Sequence, residues 1–158
     1  KMVKIIDQRK LPHELAIVNL KTVDDAIKAI KDMYVRGAPL IGVTGAYAVY
    51  LATLNAPNGQ VDTEYLQHEA RRIKSARPTA VNLVWAVEMV LSEILTISDP
   101  AKKIDSAKNI SAAITEREVE IQALRTAGGR PRLGPRQERR WRQVGQHPCP
   151  VQLDDAGA

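Results

Sequence analysis

The chain has 158 residues, 44% hydrophobic and 26% charged, which suits one ordinary folded domain and argues against a disordered one. A formal net charge of +5 raises nucleic acid as a partner, but the charge is unevenly placed and nucleic acid ranks low. No apolar run is long and uninterrupted enough to demand a membrane span, one cysteine excludes an internal disulfide framework, and no charged-then-apolar leader is visible, so the expected location is cytoplasmic.

Residues 3–6 and 14–20 read as strands, with Pro12 and His13 in the turn between them. Thr22 is a good N-cap for a helix to about Val35, with Val23, Ala26, Ile27, Ile30, Met33 and Tyr34 on one stripe. A second helix is expected from about Pro39 to Leu54. It contains Gly42 and Gly45, which weaken a helix but permit close backbone approach, so packing is their expected role. Residues 55–60 form a loop, and residues 63–75 a mixed helix with Tyr65, Leu66, Ala70 and Ile73 inward. Pro78 is expected to open a fourth helix to about Ile97. Its apolar residues nearly encircle it, which reads as a central, buried helix. Asp99-Pro100 starts a fifth, to about Ala123. The fold class is therefore mainly α with a small N-terminal β-element.

Two strings suggest chemistry: Arg36-Gly37-Ala38-Pro39 and Arg77-Pro78-Thr79-Ala80-Val81-Asn82. In each, an arginine and a proline precede a long apolar run. Proline favours the first turn of a helix, so both arginines are expected beside unpaired N–H groups and the positive end of a helix dipole. Such a start binds anions, and a guanidinium adds charge-assisted bonds. Two of them suggest a phosphorylated ligand held from two sides. The duller readings are that Arg36 pairs with Asp32 or caps a neighbouring helix, and that Asn82 braces a loop. His13 and His68 lie apart and near no paired acid, so neither is expected to be catalytic. Asp7 and Arg9 are expected to form a surface or domain-edge pair.

These strings, together with Ile6-Asp7-Gln8-Arg9-Lys10-Leu11-Pro12, resemble the S-methyl-5-thioribose-1-phosphate isomerase family over residues 3–122. That family is related to the alpha, beta and delta subunits of translation initiation factor 2B. The resemblance implies a helical substrate-binding N-terminal domain of an α/β isomerase. It makes Arg36, Gly37, Ala38 and Arg77 the substrate-binding positions, and it implies no metal or nucleotide cofactor. The family's reaction converts a phosphorylated aldose to its ketose, S-methyl-5-thioribose 1-phosphate to S-methyl-5-thioribulose 1-phosphate, in methionine salvage. Members take their catalytic cysteine and aspartate from a Rossmann-like second domain, and pair as homodimers. Neither catalytic residue appears in register here, so the expected fragment has no catalytic residue of its own and is inactive alone. The alternatives are an initiation factor 2B-like interaction subunit and a relative of ribose-1,5-bisphosphate isomerase.

The chain divides into a domain at 1–122 and an atypical tail at 123–158. Residues 129–146 hold Arg130, Arg132, Arg136, Arg139, Arg140 and Arg142 between prolines and glycines. The first-ranked reading is an aberrant frame, since GC-rich DNA read out of frame yields this composition. A solvated tail and a basic arm for nucleic acid stand behind it. Read one base on, generic codons for residues 133–152 can spell a glycine-rich run followed by valine-asparagine-isoleucine-leucine, as the resembled family carries. His147 and Cys149 have a metal-like spacing, but two ligands do not make a zinc site.

Overall fold

A computed structural model describes residues 1–126. Two short strands, β1 (Val3–Ile6) and β2 (Ile17–Leu20), pair antiparallel, with Val3 opposite Leu20 and Ile6 opposite Ile17. Val3, Ile5 and Leu20 are buried against the helices. Strand pairing starts at Ile17 rather than at Glu14. The Glu14 N–H instead donates to the Lys10 carbonyl at 3.0 Å, closing residues 10–14 into a turn.

Helix α1 (Val23–Lys31) starts as expected at Thr22. Its hydroxyl accepts the Asp25 N–H at 3.1 Å, while the Asp25 carboxylate accepts the Thr22 N–H at 2.9 Å, a reciprocal capping box. The helix ends four residues earlier than the apolar stripe suggested. Met33 adopts φ 58°, and the Tyr34 N–H bonds back to the Ala29 carbonyl at 2.9 Å. This six-to-one bond closes the helix with a left-handed residue, here without glycine. Met33 is consequently exposed, off the buried stripe of Val23, Ala26, Ala29 and Ile30.

Helix α2 (Ala38–Leu54) is the centre of the molecule: every residue from Pro39 to Thr53 except Tyr47 is buried. The other helices surround it. Helix α3 (Thr63–Ser75) has the expected bounds and is capped by Asp62, whose carboxylate accepts the Tyr65 N–H at 2.7 Å. Leu66, Ala70 and Ile73 face inward and Tyr65 is half-buried. Buried Glu69 lies among them, bound to Arg72 at 2.8 and 3.0 Å, and Arg72 also pairs with Asp24 of α1.

Helix α4 (Val81–Ile94) is shorter than expected at both ends. It is also not the central helix. Leu83, Ala86, Val87, Val90 and Ile94 are buried, whereas Val81 is 68% exposed and Val84, Trp85, Met89 and Leu91 are half-buried. The all-round apolar pattern belongs more truly to α2, whose glycines, alanines and threonines let four neighbours approach it. Helix α5 (Pro100–Thr126) follows Asp99, whose carboxylate accepts the Ala101 N–H at 2.9 Å. Buried Lys103 donates to the Val61 carbonyl at 2.6 Å, tying α5 to the segment ahead of α3. The helix runs three residues past Ala123. The arginine-rich run, His147 and Cys149 lie outside the described residues.

Candidate functional site: two uncapped helix starts

The helices that follow the two arginine-bearing strings, α2 and α4, pack against each other near their starts. A Cβ placed on Gly42 would lie 3.0 Å from the Asn82 carbonyl oxygen and 3.3 Å from Asn82 Cβ. One placed on Gly45 would lie 2.4 Å from Leu83 Cδ1 and 3.3 Å from Val87 Cγ2. Gly42 is in the first turn or so of α2, and Asn82 is in the first turn of α4. Moving on to Gly45 moves the contact on to Leu83 and Val87, so the two helices run in the same direction. Their N-termini, and their positive dipole ends, therefore sit together at one end of the bundle.

The other helices start differently. Thr22 and Asp25 close α1, Asp62 closes α3 and Asp99 closes α5. No side chain caps α2 or α4, and neither has an acidic residue in its first turn. Pro39 has no N–H, and the amides of Ala38 and Leu40 precede the first intrahelical bond, which runs from the Ile41 N–H to the Gly37 carbonyl at 3.1 Å. Gly37, the N-cap, has φ 87° and ψ 137°, a conformation that favours glycine. Arg36, Gly37 and Ala38 are exposed.

Arg77 occupies a different place from the one its string suggested. Pro78 does not open α4; residues 77–80 form a turn in which the Ala80 N–H donates to the Arg77 carbonyl at 3.0 Å, and Ala80 is the N-cap. Pre-proline backbone resists the α region, and Arg77 sits before Pro78, so the chain reverses between α3 and α4 before helix can resume. Arg77 thus stands half-buried in the turn leading to the α4 start. Among the described residues, neither Arg36 nor Arg77 has a carboxylate partner, and Asp32 does not pair with Arg36. Arg9, Arg72 and Arg117 each do; Arg71, on the exposed face of α3, does not. The half-buried Asn82 amide makes no hydrogen bond within the described residues.

The loop after β1, which the sequence singles out at residues 6–12, reaches Arg36 by a bond that the sequence does not announce. Asp7 and Arg9 do pair, as expected; of the surface and domain-edge alternatives, burial of Asp7 at 2% exposure removes the first for its carboxylate. Arg9 Nε and Nη2 donate to its two carboxylate oxygens at 2.9 and 2.7 Å, and the Arg9 guanidinium lies 3.6 Å from the centre of the Tyr34 ring. Arg9 holds the Asp7 carboxyl below its ordinary value, against the opposing pull of burial. The Arg9 guanidinium is correspondingly raised. Between them, Gln8 accepts the Arg36 N–H on its Oε1 at 2.7 Å. No local pattern could announce that bond, since its partners lie 28 positions apart.

Among the described residues, no group of three or more His, Cys, Asp and Glu side chains could hold a metal ion. His13 is exposed, and His68 is an exposed neighbour of Glu69 at 3.1 Å. No helix of the described residues is long and apolar enough to cross a membrane.

Residues 34–128 match the initiation factor 2 subunit family. A methylthioribose-1-phosphate isomerase of Desulfatibacillum aliphaticivorans is 53% identical over 117 residues, covering 74% of this chain and 32% of the relative. The crystal structure of translation initiation factor eIF-2B subunit delta from A. fulgidus superposes with a TM-score of 0.71 at 35% identity, covering 74% of this chain and 35% of that one. The 5-methylthioribose 1-phosphate isomerase of Pyrococcus horikoshii gives 0.67 at 28% identity, covering 76% and 35%. The chain thus spans about a third of the length of these relatives.

Proposed function

The chain belongs to the initiation factor 2 subunit family, and from that premise we propose that the paired starts of α2 and α4 hold the phosphate of a phosphorylated sugar. The ligand is S-methyl-5-thioribose 1-phosphate, and the domain is the substrate-holding part of a methylthioribose-1-phosphate isomerase of methionine salvage. One observation carries the reading. Of the α-helix starts, the two that lack a cap and a carboxylate are the two packed side by side, and each is preceded by an arginine whose guanidinium has no carboxylate partner among the described residues. Ordinary helix starts satisfy their N–H groups with their own side chains. Leaving two of them open forgoes what a cap adds and leaves their N–H groups to water or to an anion.

In this reading Arg36 and Arg77 supply guanidinium donors, and Gly37 and Ala38 supply main-chain N–H groups. Their work is binding and orientation, which can contribute several kcal/mol to a reaction (roughly 7 at the lower end for well-oriented systems). They do not shift hydrogen between C1 and C2. That step needs an acid and a base, which these groups do not provide. A cytoplasmic location goes with the reading, because the ligand is a soluble metabolite. A homodimer is the assembly to look for by light scattering.

The test is calorimetric titration of the full chain with S-methyl-5-thioribose 1-phosphate and with unphosphorylated methylthioribose. The phosphorylated sugar is expected to bind, and the unphosphorylated one not to. Arg36→Ala and Arg77→Ala should each weaken binding by about 10- to 100-fold, the worth of hydrogen bonds to charged groups. Equal affinity for both sugars would refute the reading, and competition by ribose 1,5-bisphosphate would separate that relative's substrate. A second reading, an interaction subunit, draws on the likeness to the A. fulgidus delta subunit. It predicts affinity for a translation factor and none for the sugar phosphate.

A further inference from the structure

Arg36 stands between two left-handed backbone positions, Met33 at φ 58° and Gly37 at φ 87°. It belongs to neither α1 nor α2, so no helix ladder fixes its main chain. The Tyr34 and Val35 N–H groups bond back to the Ala29 carbonyl at 2.9 and 3.4 Å, and Gln8 adds two bonds, one of them to Arg36 itself. The Gln8 N–H donates to the Tyr34 carbonyl at 2.9 Å, and Gln8 Oε1 accepts the Arg36 N–H at 2.7 Å. They grip the chain on either side of Val35, which is fully buried.

Gln8 is itself held on both sides. The Asp7 N–H donates to the Ala16 carbonyl at 2.8 Å, and the Asp7 carboxylate accepts both the Arg9 guanidinium and, at 3.1 Å, the Arg9 N–H. The stack of Arg9 on Tyr34 ties the same loop to the same segment a second time. Gln8 and Arg9, with Asp7 holding Arg9, therefore brace Tyr34 and Arg36 ahead of α2.

We infer that Gln8 is a positioning residue: through its bond to the Arg36 N–H it orients the Arg36 guanidinium toward the phosphate site without touching the ligand. The inference rests on the sugar-phosphate reading above. It assigns the hairpin connection a part in binding that neither arginine string reveals. A side chain as long and mobile as arginine loses rotamer entropy on binding, and a fixed main-chain origin reduces the volume it must search.

The experiment is a double-mutant cycle on the full chain, read by calorimetric affinity for S-methyl-5-thioribose 1-phosphate. Gln8→Met keeps the length and removes the acceptor; Gln8→Asn keeps the amide and falls short of the bond. Each should weaken binding about three- to tenfold, the worth of one neutral hydrogen bond. In the Arg36→Ala background each should change it less than twofold. Amide hydrogen exchange without ligand supplies an independent reading: the Arg36 N–H should lose protection in both variants while α3 keeps its own. Equal weakening in both backgrounds would overturn the inference, because Gln8 would then act on the ligand directly or on the fold as a whole. Undiminished affinity in the Gln8 variants, with the wild type still binding, would overturn it and leave the phosphate reading standing. Absence of binding by the wild type would overturn both.

Discussion

Asp7 shows how one carboxylate can serve the fold and the site together. It is buried, and Arg9 satisfies both its oxygens and holds its pKa below the ordinary 3.8. A carboxyl whose folded pKa is depressed binds protons more readily in the unfolded chain. Its contribution is therefore complete above about pH 4 and is lost as pH falls through the folded value. Asp7→Asn should destabilise the protein at neutral pH, and the gap from wild type should close on acidification below pH 4. Urea unfolding at pH 7, 5 and 3 measures this, and a gap that is constant with pH would deny Asp7 its charged role. Asp25 carries the same sign, lowered chiefly by the Lys21 N–H, and its removal is the control for a carboxylate away from the site. Gly37 sets a different constraint. At φ 87° and ψ 137° an L side chain is strained, and residues held in such regions cost about 1–3 kcal/mol. Gly37→Ala should lower stability by about that amount and weaken sugar-phosphate binding as well, since the N-cap and the ligand N–H groups move together. Thermal unfolding and titration on one preparation check both halves.

The contact between α2 and α4 sets the distance between the two helix starts, and its two glycines do unequal work. A methyl on Gly42 meets main chain, the Asn82 carbonyl at 3.0 Å, so α4 itself must move. A methyl on Gly45 meets Leu83 Cδ1 at 2.4 Å, the end of a side chain in a fully buried place. Overpacking costs about 1–3 kcal/mol, against roughly 1 kcal/mol gained from alanine's better helix propensity. Gly42→Ala should therefore cut sugar-phosphate affinity more than stability, because it parts the helix starts. Gly45→Ala should cut stability more than affinity, because Leu83 and Val87 must repack. The same pair shows what a sequence carries at this scale. The N-cap at Thr22, the bounds of α3 and the packing role of both glycines were legible, because each rests on residues a few positions apart. The early end of α1 was not, since a methionine in left-handed geometry has no local signature. The start of α4 was misplaced because proline marks both first turns of helices and the turns that precede them. The central helix was misassigned because large apolar residues in α4 outweighed the small ones of α2, and close packing on all sides requires the small ones.

Over the whole molecule, the described residues offer little to move a proton at the proposed site. The first turns of α2 and α4 carry no carboxylate, and Asp7, the buried acid of the adjoining loop, is already bound to Arg9. His13 and His68 stand exposed, and Glu69 is engaged with Arg72. The string at Arg36 announced its helix start and the string at Arg77 stands a turn ahead of its own; the side-by-side packing of α2 and α4 rests on glycines of one helix meeting the first turn of another, 38 or more positions on. An aldose–ketose conversion needs a group to take a hydrogen from one carbon and a group to deliver one to the next, and binding energy alone substitutes for neither. The full chain should accordingly bind S-methyl-5-thioribose 1-phosphate and leave its C1 resonance unchanged over hours when followed by 13C NMR. Adding a catalytic quantity of a complete relative, such as the isomerase of Desulfatibacillum aliphaticivorans, should convert the same sample to ketose, which shows that the ligand was competent. Ketose formed by this chain alone, at a rate near that relative's, would mean that the acid and base lie among residues to which the argument gives only binding and packing.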